Sequence, residues 1–190
     1  MPELILRKQF EDYREGDQDP FKGGLLVSRL IDADLNITWV YDQLRGLAEK
    51  TRAGDDISTF LVELQKFGFE GALDFNNKKL SSIEYVLRNK TGIPISLAMV
   101  IIGVGKLLGF SIKGVNFPGH FLLKSNDLLI DPHGLKTVKV GAEIMLNNQL
   151  YYTDPNDLIE VNGVKIVSRM LNNLKFIAIK ENDYNEAIEY

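Results

Sequence analysis

His120 and Asp131 have the residue types and the spacing for proton-transfer chemistry. His120 opens one strand-like run, His120 to Lys124, and Asp131 closes the next, Leu128 to Asp131. A tight turn, Ser125-Asn126-Asp127, separates the runs, so an antiparallel pairing brings the two side chains within reach of each other. An imidazole oriented by a carboxylate is the base half of an acyl-transfer site. The other half is a nucleophile, well placed at the start of a buried helix, where unpaired backbone N–H groups and the helix dipole stabilise a thiolate. That helix starts near Pro94, and the chain has no cysteine. Proline at a first helical position is good helix chemistry and is no nucleophile. Ser96 is the replacement to weigh. Residues two apart on a helix point about 200° apart, and a serine there more often bonds local backbone. Thr91 is a further hydroxyl nearby, with a weaker claim. A metal set of His120, Asp131 and His133 is poor, because His133 sits in the turn after Asp131 and no fourth ligand suggests itself. The expectation is therefore no catalytic residue, no metal and no cofactor, with Ser96 carrying the alternative.

The elements that must position these groups are legible in the pattern. Thr91 to Gly105 is the longest uncharged run, and a helix over about Pro94 to Leu108 is apolar nearly all round, hence buried on most sides. Gly103 and Gly105 lower its helix propensity and predict the close approach of another backbone. Strands are predicted over Ser111–Phe117, His120–Lys124, Leu128–Asp131 and Leu135–Val140, with Pro118-Gly119 as a turn pair; short connections favour an antiparallel meander. Before them, helices are predicted over Leu25–Ala33, Ile37–Arg52 (capped by Asn36), Ile57–Phe67 and Ile83–Asn89 (capped by Ser81 or Ser82). Ala53-Gly54-Asp55-Asp56 breaks the second of these. Residues 1–20 read as a flexible arm. After Gly141 a short helix is predicted over Ala142–Asn148, then an irregular stretch from Gln149 to Gly163. Helices over Val164–Lys180 and Tyr184–Tyr190 form a hairpin.

The chain holds 190 residues, enough for one substantial core. Its net charge of −4 and scattered cations speak against a nucleic-acid surface. Without cysteine there are no disulfides, thiolate metal ligands or thiol catalysis, which fits a reducing cytoplasm. The charged start of the chain has no signal-peptide core. The longest uncharged run is too short and too glycine-rich to span a bilayer, so no membrane association is expected.

Taken together, Gly92, Ala98, Gly109, His120 and Asp131-Pro132 match the frame of the transglutaminase-like superfamily, whose Gly-x-Cys places its cysteine on Pro94. The pieces FGFEG, VLRNKTGIPISL, LLGF, GVNFPGHFLL and IDPHG resemble the SirB-type bacterial proteins more closely. In these a transglutaminase-like domain precedes tetratricopeptide-like helices, and the C-terminal RMLNNLKFIAIKENDYNEAIEY looks like that tail. The likeness runs over about residues 22–190. It implies an α+β, cysteine-protease-like fold with a helical N-terminal part, a central buried helix, a small antiparallel sheet and a C-terminal helix hairpin. The expected division is a flexible arm over 1–20, a transglutaminase-like domain over 21–150 (N-terminal helices plus core 80–140) and a tetratricopeptide-like helix hairpin over 151–190 packed on it. No role carries over to His133. The leading expectation is a pseudoenzyme: a cytoplasmic protein- or peptide-binding module that keeps His120 and Asp131 as a vestigial dyad. The alternatives are an acyl-transfer hydrolase or amidase using Ser96 with His120 and Asp131, and a purely structural subunit with His120 inert.

Overall fold

A computed structural model describes residues 2–51 and 56–190. The first half is helical: α1 (Pro2–Glu15), α2 (Pro20–Ile31), α3 (Ile37–Thr51), α4 (Ile57–Lys66) and α5 (Ile83–Asn89). The starts of these helices follow local chemistry. Asp19 accepts hydrogen bonds from the N–H groups of Phe21 and Lys22 at 2.9 and 3.1 Å. Asn36 accepts one from Trp39 N–H at 2.9 Å, and Asp56 caps α4 through Ser58 and Thr59. Ser82 caps α5 through Tyr85. Each satisfies donors that a helix start leaves open. The turn expected at 53–55 lies outside the described residues.

After α4 run β1 (Glu70–Gly71), a 3-10 turn over Lys78–Ser81 and, after α5, β2 (Thr91–Gly92), which pairs in parallel with β1. Helix α6 (Pro94–Leu107) follows directly and is buried along most of its length. Its glycines are close-approach sites, but for side chains. A methyl on Gly103 would meet the Phe21 ring at 2.9 Å, and one on Gly105 would meet Ile112 at 2.4 Å. The expected backbone neighbour is not what fills these positions.

The main sheet packs on α6. Strands β3 (Lys113–Phe117), β4 (His120–Ser125), β5 (Leu128–Asp131) and β6 (Lys136–Lys139) form the predicted antiparallel meander. Pro118-Gly119 closes the first hairpin, with Gly119 at φ +71° where a side chain is disfavoured. Alternation splits the sheet into two faces. Phe121, Leu123 and Ile130 join the helical core around α6, whereas Val115, Phe117, Leu122 and Leu129 form a second cluster on the far face.

What covers that far face corrects the sequence reading. Residues 142–148 are not a helix. β7 (Glu143–Leu146) and β8 (Gln149–Tyr152) form a hairpin that sets Ile144 and Leu146 into the second cluster. Its turn is Asn147-Asn148, with φ +48° and +61°, the conformation that asparagine tolerates and a two-residue hairpin requires. The stretch read as irregular supplies β8 and β9 (Ile159–Val161), and β9 adds to the sheet beside β3. The order is β6-β5-β4-β3-β9.

One further difference concerns the N-terminal end. The sequence reads as an arm over residues 1–20; the structure forms α1, with Tyr13 buried in the main core and Phe10 packed against it. At the other end, α7 (Gly163–Lys180) and α8 (Tyr184–Glu189) pack together, and Ile166, Val167, Met170 and Leu174 of α7 belong to the same core as α1 to α6. The molecule is a mixed helix-and-sheet fold. Among the described residues no helix is long and apolar enough to cross a membrane.

Candidate functional site

The start of α6, the start of β4 and the end of β5 meet at one cleft of about 650 Å³. Ile93, Pro94 and Ile95 form one wall, with Pro94 at the first helical position and no side chain capping the helix. Gly119 and His120 enter from β4, Asp131 and His133 from the end of β5, and Asn147 and Asn148 from the hairpin turn. Arg169, Asn173 and Phe176 of α7 line the cleft as well, as do Phe75 and Asn76. Pro94, His120 and Asp131 therefore share one cavity.

Strand pairing explains why His120 and Asp131 come together. Lys124 of β4 pairs with Leu129 of β5, so His120, Leu122 and Lys124 share a face with Leu129 and Asp131. Among the described residues, however, no hydrogen bond joins the two side chains. Asp131, only 6% exposed, accepts a hydrogen bond from His133 N–H at 3.0 Å and lies 3.7 Å from Lys136 Nζ. Its carboxylate shapes its own turn. The His120 ring packs edge-on to Tyr151 at 5.4 Å between ring centres and lies 6.4 Å from Phe117. Burial pushes the His120 imidazole below its ordinary 6.5; the Asp131 carboxylate opposes this and the Arg169 charge adds to it.

Ser96 is fully buried. Its hydroxyl lies 2.6 Å from the Leu80 carbonyl and 3.0 Å from the Ile93 carbonyl, and it does not line the cleft. One proton facing two backbone acceptors holds this oxygen inside the fold. Thr91 is bonded to the Asn89 carbonyl at 3.4 Å. His133 Nε2 bonds the Ala72 carbonyl at 3.0 Å, and its ring meets Phe75 edge-on at 5.9 Å. It clamps the loop after β1 to the sheet. Among the described residues no cluster of His, Asp and Glu is arranged to hold a metal ion. Among the described residues the pocket presents no thiol and no free hydroxyl at the start of α6.

Sequence reasoning missed Arg169. Its guanidinium donates to the Asn116 side chain and, at 3.1 Å, to the His120 carbonyl, and it stacks 5.5 Å from the centre of the Phe121 ring. Nothing local marks it, because its partners lie on strands far earlier in the chain. Tyr151, Asn147 and Asn148 were also hidden, although Asn-Asn flanked by alternating residues is a hairpin signal.

The family profile of the transglutaminase-like superfamily matches residues 36–172, which include Pro94, His120, Asp131 and Arg169. The UPF0162 protein of Vibrio cholerae is 25% identical over 88% of this chain and 69% of its own length. UPF0162 proteins of Xylella fastidiosa are 38% identical over 36% of this chain, which spans 26% of their length. Human F-box only protein 21 is 29% identical over 60% of this chain and 22% of its own length. No solved structure matches the chain. The relatives carry the likeness into both bacterial and animal proteins, and the profile covers α3 to the middle of α7, so the chain belongs to the transglutaminase-like superfamily.

Proposed function

We propose that the protein is a cytoplasmic, non-catalytic binding module of SirB type, whose cleft takes a segment of another protein. The observation that supports this most directly is the contrast between an intact cleft and a missing nucleophile. The cavity is lined by His120, Asp131 and the start of α6, although the first two lie on the sheet face of Leu122 and Leu129, while the family's cysteine position is Pro94 and the chain has no cysteine. Losing the nucleophile leaves a hydrolase only residual catalysis from binding and oxyanion donors. The acyl-transfer alternative needs Ser96 in the cleft, and its hydroxyl faces Leu80 and Ile93 carbonyls instead. Phe75, Met145 and Phe176 line the opening and are 45%, 48% and 62% exposed. Large apolar side chains at a concave site suit a protein segment. The pairing of α7 with α8 at the C-terminal side of the fold supports the SirB-type assignment.

Affinity selection of a displayed random-peptide library tests the reading, run against wild type and Phe176→Asp, a change on an exposed lip. Enriched peptides should bind wild type at least roughly tenfold tighter than the variant. Equal binding to both, or no enrichment, would sink the cleft as a binding site. Labelling of Ser96 by a fluorophosphonate would sink the non-catalytic half of the proposal.

A further inference from the structure

We infer that the segment taken by this cleft is acidic, with carboxylate side chains on both flanks of an apolar residue. This rests on the binding-module reading above and specifies its ligand. The argument starts from α7. Arg169, Asn173, Phe176 and Lys180 recur at helical spacing and form one stripe on the cleft side. Arg169, Asn173 and Phe176 line the cavity, and Lys180 donates to the side chain of Asn76, which also lines it, at 2.6 Å. The stripe thus has a cation at each end and an exposed phenyl ring between them.

These cations lack counter-charges. Among the described residues, neither Arg169 nor Lys180 is ion-paired with a carboxylate. Arg169 is partly buried, and its hydrogen-bond acceptors, the Asn116 amide and the His120 carbonyl, are both neutral. Burial alone lowers its pKa, with no carboxylate opposing the shift. A side chain needed only to tie α7 to the sheet would do so without a charge, whose desolvation is costly when unpaired. Guanidinium has five N–H donors, so it can keep both bonds and still hold a carboxylate. The cleft lining has Lys136 and Arg169 against Asp131 alone, with Lys180 at the rim. The whole chain, by contrast, carries −4. The site is locally positive on an acidic protein, which attracts an acidic ligand and disfavours a basic one.

Spacing sets the length of the segment. Arg169 and Lys180 are about 16 Å apart along the helix at 1.5 Å per residue. An extended chain covers that in about five residues at roughly 3.3 Å each. An acidic residue at either end and a large apolar residue in the middle matches the order Arg169, Phe176, Lys180. A lone terminal carboxylate would engage only one of the two cations.

The test is an NMR titration of the isotopically labelled chain with acetyl-Glu-Ser-Phe-Ser-Glu-amide and its isostere acetyl-Gln-Ser-Phe-Ser-Gln-amide at low salt. The acidic peptide should shift the Arg169 Nε–H and the amides of Asn147, Asn148 and Asn173, and bind roughly tenfold tighter than the isostere. The preference should shrink with added salt and in Lys180→Gln, an exposed change that leaves the fold in place. Arg169→Gln should remove most of it, with circular dichroism checking that α7 stays docked. If both peptides bind the cleft equally, the acidic preference is overturned while the binding module stands. If neither peptide shifts any cleft resonance, the inference falls, and the library selection decides separately whether the cleft binds other segments.

Discussion

Pro94 stands at the first position of α6 in the cleft that His120 also lines. The chain has no cysteine, so Pro94→Cys introduces a single thiol. The start of α6 carries no side-chain cap, and unpaired N–H groups and the helix dipole favour a thiolate. The midpoint of its alkylation by iodoacetamide should therefore fall below the ordinary thiol value of about 8.5. A midpoint at or above that value would mean that this helix end exerts no useful field. His120 gives a second prediction. Its pKa lies below 6.5 in the folded state, chiefly through burial. As pH falls, the unfolded chain takes up this proton first. The contribution of His120 to stability is thus fully present above 6.5 and is lost as pH falls below 6.5 toward the depressed folded value. Urea midpoints measured across that range should decline less steeply in His120→Gln than in wild type. An NMR titration should place the His120 midpoint below 6.5, and a midpoint above it would contradict the packing against Tyr151 and Phe117.

Two elements, the loop after β1 and the β7–β8 hairpin, shape the mouth of the cleft, and each depends on a backbone position. At Gly71 a methyl would lie 2.3 Å from the His133 ring. Gly71→Ala should push that ring off the Ala72 carbonyl, loosen the loop that carries Phe75, and cost about 1–3 kcal/mol in chemical denaturation, as overpacking does. His133→Ala should recover part of that loss, because the two changes share one contact; strictly additive losses would argue against the clamp. At Asn148 the backbone has φ +61°. Asn148→Gly should leave stability unchanged or raised, and Asn148→Val should cost about 1–2 kcal/mol because a branched side chain is disfavoured there. The elements also show how far the sequence could be read. α6 and the strands β3 to β6 were legible because apolar periodicity and turn residues agree there. The hairpin was not: Glu143-Ile144-Met145-Leu146 is short, and its apolar residues suit either period until Asn147-Asn148 is read as a turn. Helix α1 was obscured by charge, although Leu6, Phe10 and Tyr13 recur at helical spacing. In the site, the shared location of Pro94, His120 and Asp131 could be read. The commitment of Asp131 to its own turn also has a local signature, the Asp-Pro pair with a bond two residues on, whereas the reach of Arg169 from α7 is a tertiary fact without one.

At the scale of the whole molecule, the decisive element is α7, because its two sides serve different ends. One side presents Ile166, Val167, Met170 and Leu174 to the core that also holds Tyr13, Phe21 and most of α6. The other presents Arg169, Asn173 and Phe176 to the cleft. A site wall built on a core helix is rigid, and it cannot be removed without loss of the fold. The magnitudes support this. Fully burying large apolar side chains stabilises by roughly 1.5–3 kcal/mol each, so the four on α7 contribute an amount comparable with the about 5–15 kcal/mol that separates native from unfolded domains. A chain ending at Asn162 should therefore show no cooperative urea transition. The intact chain should unfold in one step, with far-ultraviolet circular dichroism and the fluorescence of Trp39, the single tryptophan, changing together. If the shortened chain instead gave a sharp transition near the wild-type midpoint, α7 and α8 would be an appendage, and the cleft could be opened simply by undocking them. If both expectations hold, ligand exchange has to occur through the mouth formed by Phe75, Met145 and the Asn147-Asn148 turn. Changes at those exposed residues should then alter binding rates while leaving the unfolding midpoint in place.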